Sequence, residues 1–496
     1  MLRKNIVSNY ISQIYVSIVG ILILPFYIKY MGAEAYGLVG FFAILQAWFG
    51  LLDLGLTPTI SRETARYHGG SISALVYSQL FRSLSLIFFL IAFIGGAGLW
   101  IFSGKIATIW LKTNYLSIDQ VIFSIKIMAI SISLRWIGGL YKGIISGSEK
   151  FVWLSGFNVI IATLRFVAVF ISMWLYGFTP YVFFIHQLFI AIFEIIILFF
   201  YAIKIIPSKT QLNSPIGWSF KPVKPILKFA LTIAFTSSIW IFVTQTDKLI
   251  LSGILSLSEY GYFTLAVLVA SGILIISGPI SATIMPRMAR LHAEGKHDEI
   301  IQLYRNSTQL VCIIAGSAAA TISLCAEPLL FAWTGDPILA SHAAPILCLY
   351  AIGNGILTLC SFPYYLQYAK GNLRYHFIGN ILMAITLIPT IIYFSNHYGS
   401  LGAGYVWVTI NSLFLLCWVT FIHHKLEPGL HYKWFIKDIL RIYIPIILTC
   451  IILSFFPIDL KNRYLAFLYT SGIAIITLLI ALISSREMKR NENKYR

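Results

Sequence analysis

Long apolar runs separated by short polar connections recur along the whole chain. Crossing a bilayer takes about 20 residues at 1.5 Å each, and on that measure the pattern predicts fourteen membrane-spanning helices. The first seven fall near 6–28, 37–60, 83–103, 119–141, 152–174, 179–203 and 226–251. The other seven fall near 261–285, 306–330, 343–366, 375–394, 400–422, 438–456 and 464–484. The first run is too long, and too polar at its start (Asn5, Ser8, Asn9, Ser12, Gln13), to fit a cleaved signal peptide, so it is expected to persist as a helix. Pro25, Pro279, Pro363, Pro389 and Pro445 interrupt these runs and should kink or loosen them, with Pro25 and Pro279 the expected hinges.

Charge adds an orientation. Of the 36 Lys and Arg residues, 27 sit in the termini and even-numbered connections, 5 in the odd-numbered ones and 4 inside the runs. Positive connections stay in the cytoplasm, so both termini are expected there. With 58% hydrophobic and only 11% charged residues, against about 25% charged in soluble domains, the chain reads as an integral membrane protein. Its net charge of +18 is scattered over connections with no compact soluble domain to carry it. Nucleic acid is therefore not an expected partner, whereas anionic membrane lipids are. The six cysteines, Cys312, Cys325, Cys348, Cys360, Cys417 and Cys450, all fall inside predicted spans without metal-ligand spacing, so no metal, disulfide framework or cofactor is expected. Phosphate-loop and nucleophile-elbow sequences are not found, which disfavours ATP hydrolysis and glycosyl transfer.

An internal repeat refines the architecture. Tyr36-Gly37 recurs as Tyr260-Gly261 at an offset of 224, and Ala65, Arg66 and His68 recur as Ala289, Arg290 and His292 in the same register. Trp110 and Trp333 follow at 223, and Asn158 and Asn380 at 222. The repeat unit holds six spans, an even number, so the second copy enters the membrane in the same direction as the first. The expected fold is an all-α integral membrane protein of about fourteen transmembrane helices, with two pseudo-symmetric six-helix lobes and a C-terminal helix pair. The expected bounds are 1–204 and 226–424 for the lobes, 205–225 for a cytoplasmic linker, and 425–496 for two further helices and a basic tail. Internal duplication favours a transporter over a pore built by oligomerisation.

Six charges sit where spans should be apolar: Lys126, Arg135, Arg165, Glu194, Asp247 and Lys248. Each costs roughly 2.5–3.5 kcal/mol near the membrane centre even on the lenient insertion scale. The basic excess points to a path for an anionic cargo.

The stretches Tyr30-Met-Gly-Ala-Glu-Ala-Tyr-Gly37, Leu52-Asp-Leu-Gly-Leu-Thr-Pro58, Arg62-Glu-Thr-Ala-Arg66, Thr246-Asp-Lys-Leu-Ile-Leu251, Glu259-Tyr-Gly-Tyr-Phe-Thr-Leu-Ala266 and Met285-Pro-Arg-Met-Ala-Arg290 resemble the polysaccharide transporters of the multidrug/oligosaccharidyl-lipid/polysaccharide exporter superfamily. Within it the chain is similar to Wzx-type O-antigen flippases. The resemblance implies a functional monomer of the bacterial inner membrane with no catalytic chemistry. It would move an undecaprenyl-pyrophosphate-linked oligosaccharide from the cytoplasmic to the periplasmic leaflet by alternating access, upstream of polysaccharide polymerase and chain-length machinery. A peptidoglycan lipid-precursor flippase and a drug or cation antiporter of the same superfamily are the rivals. A membrane-embedded polymerase or ligase is a third, disfavoured because the longest odd-numbered connection, near 103–118, is short.

Under that implication Arg135 and Arg165, both near the midplane of adjacent spans, can grip phosphate bidentately or else form an ion pair with Glu194. Lys126 lies nine residues from Arg135, on roughly the opposite helix face, and is either a further cavity cation or a snorkelling side chain. Lys248 lines the cavity or is neutralised locally by Asp247, which continues a polar stripe of Thr232, Thr236, Trp240 and Thr244. Glu194 and Asp247 are candidates for ion coupling or for structural pairing. Asn9 and Gln13, with Asn5 and Ser17, line one face of the first span as cavity polar groups or helix glue. Gly139, Gly143 and Gly147 suggest close helix packing, Asp53 cytoplasmic-side packing or an inter-helix hydrogen bond, and His186 and Gln187 packing groups.

Overall fold

The computed structural model describes residues 2–53, 55–207, 216–217, 219, 222–456 and 462–485. The side chains of Asn5, Thr232, Thr236, Trp240, Pro279, Ala289 and Arg290 fall outside what is described. Among the described residues the backbone is helical, and its one extended pairing is an isolated bridge between Lys112 and Ser256. Among the described residues, eleven stretches are long and apolar enough to cross a membrane. By contact density the chain divides into two compact units, Met1–Gly261 and Tyr262–Arg496.

In the first unit, α1 (Leu2–Leu22) and α2 (Leu24–Met31) form one span broken at Ile23, two residues before Pro25. The break agrees with the missing proline N–H and the ring's clash with the preceding turn. Next come α3 (Ala33–Phe49) and α4 (Leu56–His68), joined by a tight turn in which the Asp53 carboxylate accepts from the Thr57 hydroxyl at 2.6 Å. Asp53 thus closes a local turn within its own segment. The helices α5 (Ala74–Lys105) and α6 (Ile118–Gly147) follow, and α6 starts on a reciprocal capping box between Ser117 and Gln120. Then come α7 (Phe151–Ala162), α8 (Val169–Tyr176), α9 (Pro180–Ile203) and α10 (Val223–Ile254). The Thr179 side chain caps α9, with Pro180 at its first turn, where the absent N–H costs nothing.

Three glycines of α6 carry the packing against α4. A Cβ on Gly143 would stand 2.5 Å from Ile60 Cγ2, and one on Gly147 would stand 2.2 Å from Ser61 O. A Cβ on Gly139 would stand 3.1 Å from Thr57 Oγ1. Only hydrogen fits at the two tighter positions, so the close-packing expectation describes this contact.

The Tyr-Gly repeat has a structural counterpart. Ala33 opens α3 and Leu257 opens α11 (Leu257–Ala293), 224 residues apart, as are Gly37 and Gly261. A Cβ on Gly37 would stand 2.1 Å from Leu257 O, and one on Gly261 would stand 2.7 Å from Ala33 O. Each glycine therefore admits the backbone at the start of the other helix, where a side chain would not fit. A second correspondence runs at 222: Gly177 (φ 103) precedes α9, and Gly399 (φ 57) bends the later helix α17 at the equivalent place. Both positive φ values are left-handed conformations that glycine adopts without steric cost.

The second unit contains most of α11, then α12 (His297–Val311), α13 (Ser317–Leu324), α14 (Ala326–Thr334), α15 (Pro337–Cys360) and α16 (Phe362–Ala369). It continues with α17 (Arg374–Leu413), which is two helices merged across Gly399, then α18 (Thr420–Leu426), α19 (Leu430–Lys433), α20 (Arg441–Ser454) and α21 (Arg463–Ser484). Pro363 begins α16 after a break, whereas Pro389 and Pro445 stay inside α17 and α20. The core of this unit gathers Tyr304, Phe362 and Trp434 around the fully buried Asp438, which accepts two bonds from Arg305 at 2.7 and 2.9 Å and one from Gln309.

Candidate functional site

A widened turn in the fifth span organises the polar centre of the first unit. Residues Thr163–Val167 are π-helical, which interrupts the regular hydrogen-bond ladder between α7 and α8. Three successive carbonyls there accept from side chains on other helices. Leu164 O takes His186 Nε2 at 2.9 Å, Arg165 O takes Gln187 Nε2 at 2.8 Å, and Phe166 O takes the Tyr27 hydroxyl at 2.7 Å. A carbonyl can only accept, so His186 Nε2 carries a hydrogen. His186 Nδ1 is bonded to the Ser172 hydroxyl at 2.8 Å. These bonds fix the turn and hold Arg165 at its centre.

Arg165 and Arg135 then converge. Both guanidiniums reach the same oxygen, Gln46 Oε1 of α3, at 3.5 Å from Arg165 Nη2 and 3.4 Å from Arg135 Nη1. Arg135 also donates to Gln187 Oε1 at 2.7 Å and lies 5.2 Å from the centre of the Phe42 ring, while Arg165 lies 5.5 Å from Phe166. Neither arginine is paired with a carboxylate among the described residues, and the Nε of each is buried without a hydrogen-bond partner. Two adjacent cations are thus hydrogen-bonded only to amide and carbonyl oxygens, with the Glu194 carboxylate acting on both electrostatically but bonded to neither, so the centre keeps an excess of positive charge. Guanidinium groups suit such a site because they stay ionised and present a planar fork of donors.

Glu194, the alternative partner for these arginines, is bonded to another cation. Glu194, 4% exposed, accepts from Lys142 Nζ at 2.6 Å. Arg135 and Lys142 are seven residues apart on α6, and Gln187 and Glu194 are seven apart on α9. The pairs 135–187 and 142–194 are therefore two rungs of one ladder, two helical turns apart. Lys142 lies one residue beyond the predicted end of its span at 141, but α6 runs on to Gly147 and carries it inward.

The other charges stand elsewhere. Lys248 turns back on its own helix, donating to Thr244 O at 2.5 Å and lying 3.6 Å from the buried Asp247 carboxylate, the geometry of local neutralisation. Lys126 lies 5.4 Å from the ring centre of Trp100 on α5. Asn9 and Gln13 are exposed on α1 and bonded to each other at 3.4 Å.

Comparison with known proteins places this geometry. Residues 2–292 match the family described as "Polysaccharide biosynthesis protein". A Shigella flexneri protein named "Putative O-antigen transporter" is 23% identical over 84% of this chain and 97% of its own length. The inward closed structure of the lipid II flippase MurJ superposes with a TM-score of 0.74 at 16% identity, covering 98% of this chain and 99% of that one. An inward-facing MATE-family multidrug transporter of the MOP superfamily gives 0.69 at 12% identity, over 83% and 96%. The fold is that of these two-lobed, all-helical membrane transporters, and the chain belongs to the polysaccharide biosynthesis protein family.

Proposed function

We propose that this protein is a flippase of the bacterial inner membrane that carries an undecaprenyl-pyrophosphate-linked oligosaccharide from the cytoplasmic to the periplasmic leaflet by alternating access. The observation that carries the reading is the Arg135–Arg165 pair, two half-buried guanidiniums meeting at one amide oxygen, neither of them hydrogen-bonded to a carboxylate among the described residues. Such a pair costs free energy unless an anion shares the site for part of the cycle. A pyrophosphate, with two adjacent anionic groups, is the complementary ligand. The family match and the O-antigen transporter relative support a saccharide-bearing lipid as the cargo.

In this reading the lobes span 1–204 and 226–424, with the linker 205–225 between them, 425–496 as an appended pair and tail, and both termini in the cytoplasm. The protein acts as a monomer without catalytic chemistry and delivers cargo to the polymerase and chain-length machinery. Arg135 and Arg165 hold the pyrophosphate, and Gln46 and Gln187 orient them. Glu194 with Lys142, and Asp247 with Lys248, are structural pairs.

Deleting the gene tests the reading. Lipid-linked repeat units should accumulate, and the corresponding surface polysaccharide should disappear. Normal surface polysaccharide in the deletion strain rejects it. Accumulation of a peptidoglycan precursor instead would transfer the assignment to the lipid II class, which the MurJ likeness favours as a second reading.

A further inference from the structure

Lys126 lies apart from the arginines, and the surface below it has a distinct shape. An apolar groove of about 290 Å³ runs between α5 and α6, lined by Phe89, Phe93, Ala97 and Trp100 on one side and Ile130 and Leu134 on the other. Lys126, Ile130, Leu134 and Ile137 recur at three- and four-residue spacing, so they share one face of α6. The groove is open to the outside of the chain, with Phe89, Phe93 and Trp100 exposed by 58%, 64% and 42%. In a membrane span only 17% buried, such a face meets lipid. From Phe89 to Trp100 it extends eleven residues, about 16 Å, the reach of most of one acyl chain.

The charge sits at one end. Lys126 is eight residues in from Ile118, about 12 Å of helix, and helical side chains lean toward the N-terminus of their helix. Its ammonium is thereby directed toward the membrane interface at the α5–α6 connection. Among the described residues it has no carboxylate partner, and its contact is the Trp100 ring. Indole and lysine together at the head of an apolar groove form an interfacial anchor for a phosphate above a hydrocarbon chain.

We propose that the α5–α6 groove binds one acyl chain of an anionic phospholipid, with Lys126 holding its headgroup phosphate. A lipid such as phosphatidylglycerol fits because it lacks the headgroup ammonium that would compete with Lys126 for that phosphate. The assignment gives Lys126 a role separate from cargo binding and does not depend on the transport reading.

The test is native mass spectrometry of the purified full-length protein, titrated with phosphatidylglycerol or phosphatidylcholine of the same chains. Wild type should hold one phosphatidylglycerol in preference to phosphatidylcholine. Lys126→Gln should lower that preference about fivefold, while Lys105→Gln, on α5 outside the groove, should leave it intact. Ala97→Phe, which fills the groove, should weaken both lipids. Unchanged phosphatidylglycerol preference in Lys126→Gln overturns the proposal even if Ala97→Phe fails to fold. So does displacement of the bound lipid by undecaprenyl phosphate at equal concentration, which would make the groove a cargo-tail site.

Discussion

Replacing Arg135 or Arg165 with alanine is expected to lower transport at least tenfold while leaving the protein folded and in the membrane. A hydrogen bond to a charged group contributes about 1.5–3 kcal/mol, and about 1.4 kcal/mol is a factor of ten, so losing one guanidinium from a pyrophosphate grip carries that penalty. Folding should survive because neither arginine is hydrogen-bonded to a carboxylate, and Glu194 keeps its direct Lys142 partner when either guanidinium is removed. The Gln187 bond to Arg165 O uses the main chain and persists in both variants. Lysine at either site should restore activity partly, since it keeps the charge but lacks the planar fork. The measurement is complementation of a deletion strain, with surface polysaccharide and membrane protein level quantified in the same cells. Full activity of both alanine variants would reject the cationic grip. The double variant should fall by less than the product of the two single losses, because residues sharing one ligand do not act independently.

Lys142→Ala is expected to do the opposite, damaging the fold before the chemistry. Glu194 is buried, its Oε1 is held by Lys142 at 2.6 Å, and its Oε2 has no hydrogen-bond partner. Stripping the ammonium leaves the buried carboxylate without a directly bonded cation. Breaking such a pair costs about 3 kcal/mol, at the low end of the range for buried pairs because Lys142 is 34% exposed. The unfolding midpoint in detergent and the yield of monodisperse protein should both fall. The double variant Lys142→Met with Glu194→Gln should recover most of the loss, because it removes both charges together. A double variant no more stable than Lys142→Ala would mean that Glu194 is not the group stranded.

These two outcomes separate charges that look alike along the chain. The apolar runs mark the spans, and ionisable residues within them stand out because a bilayer tolerates few. Arg135, Arg165 and Glu194 are legible for that reason, and the Tyr36-Gly37 and Tyr260-Gly261 repeat is legible because it marks two equivalent helix starts. Lys142 escapes notice because hydropathy falls at the membrane edge while α6 continues to Gly147. Its seven-residue spacing from Arg135, matched by Gln187 and Glu194 on α9, is the signal that would have found it. Gln46 is a single amide in an apolar helix, and its position as the shared acceptor depends on three helices meeting. The π-helical turn at Thr163–Val167 has no sequence period to betray it, and His186, Gln187 and Tyr27 gain their meaning only from the carbonyls it frees.

The central claim concerns movement of a lipid-linked oligosaccharide across a bilayer, and reconstitution tests it most directly. Purified protein in sealed vesicles would be given an undecaprenyl-pyrophosphate-linked repeat unit in one leaflet, and its arrival in the other leaflet would be followed with an impermeant sugar-modifying reagent. Wild type should transfer the cargo well above empty vesicles, and the Arg135→Ala, Arg165→Ala double variant should fall to the level of empty vesicles. Equal transfer by wild type and the double variant, or none by correctly folded wild type, would contradict it.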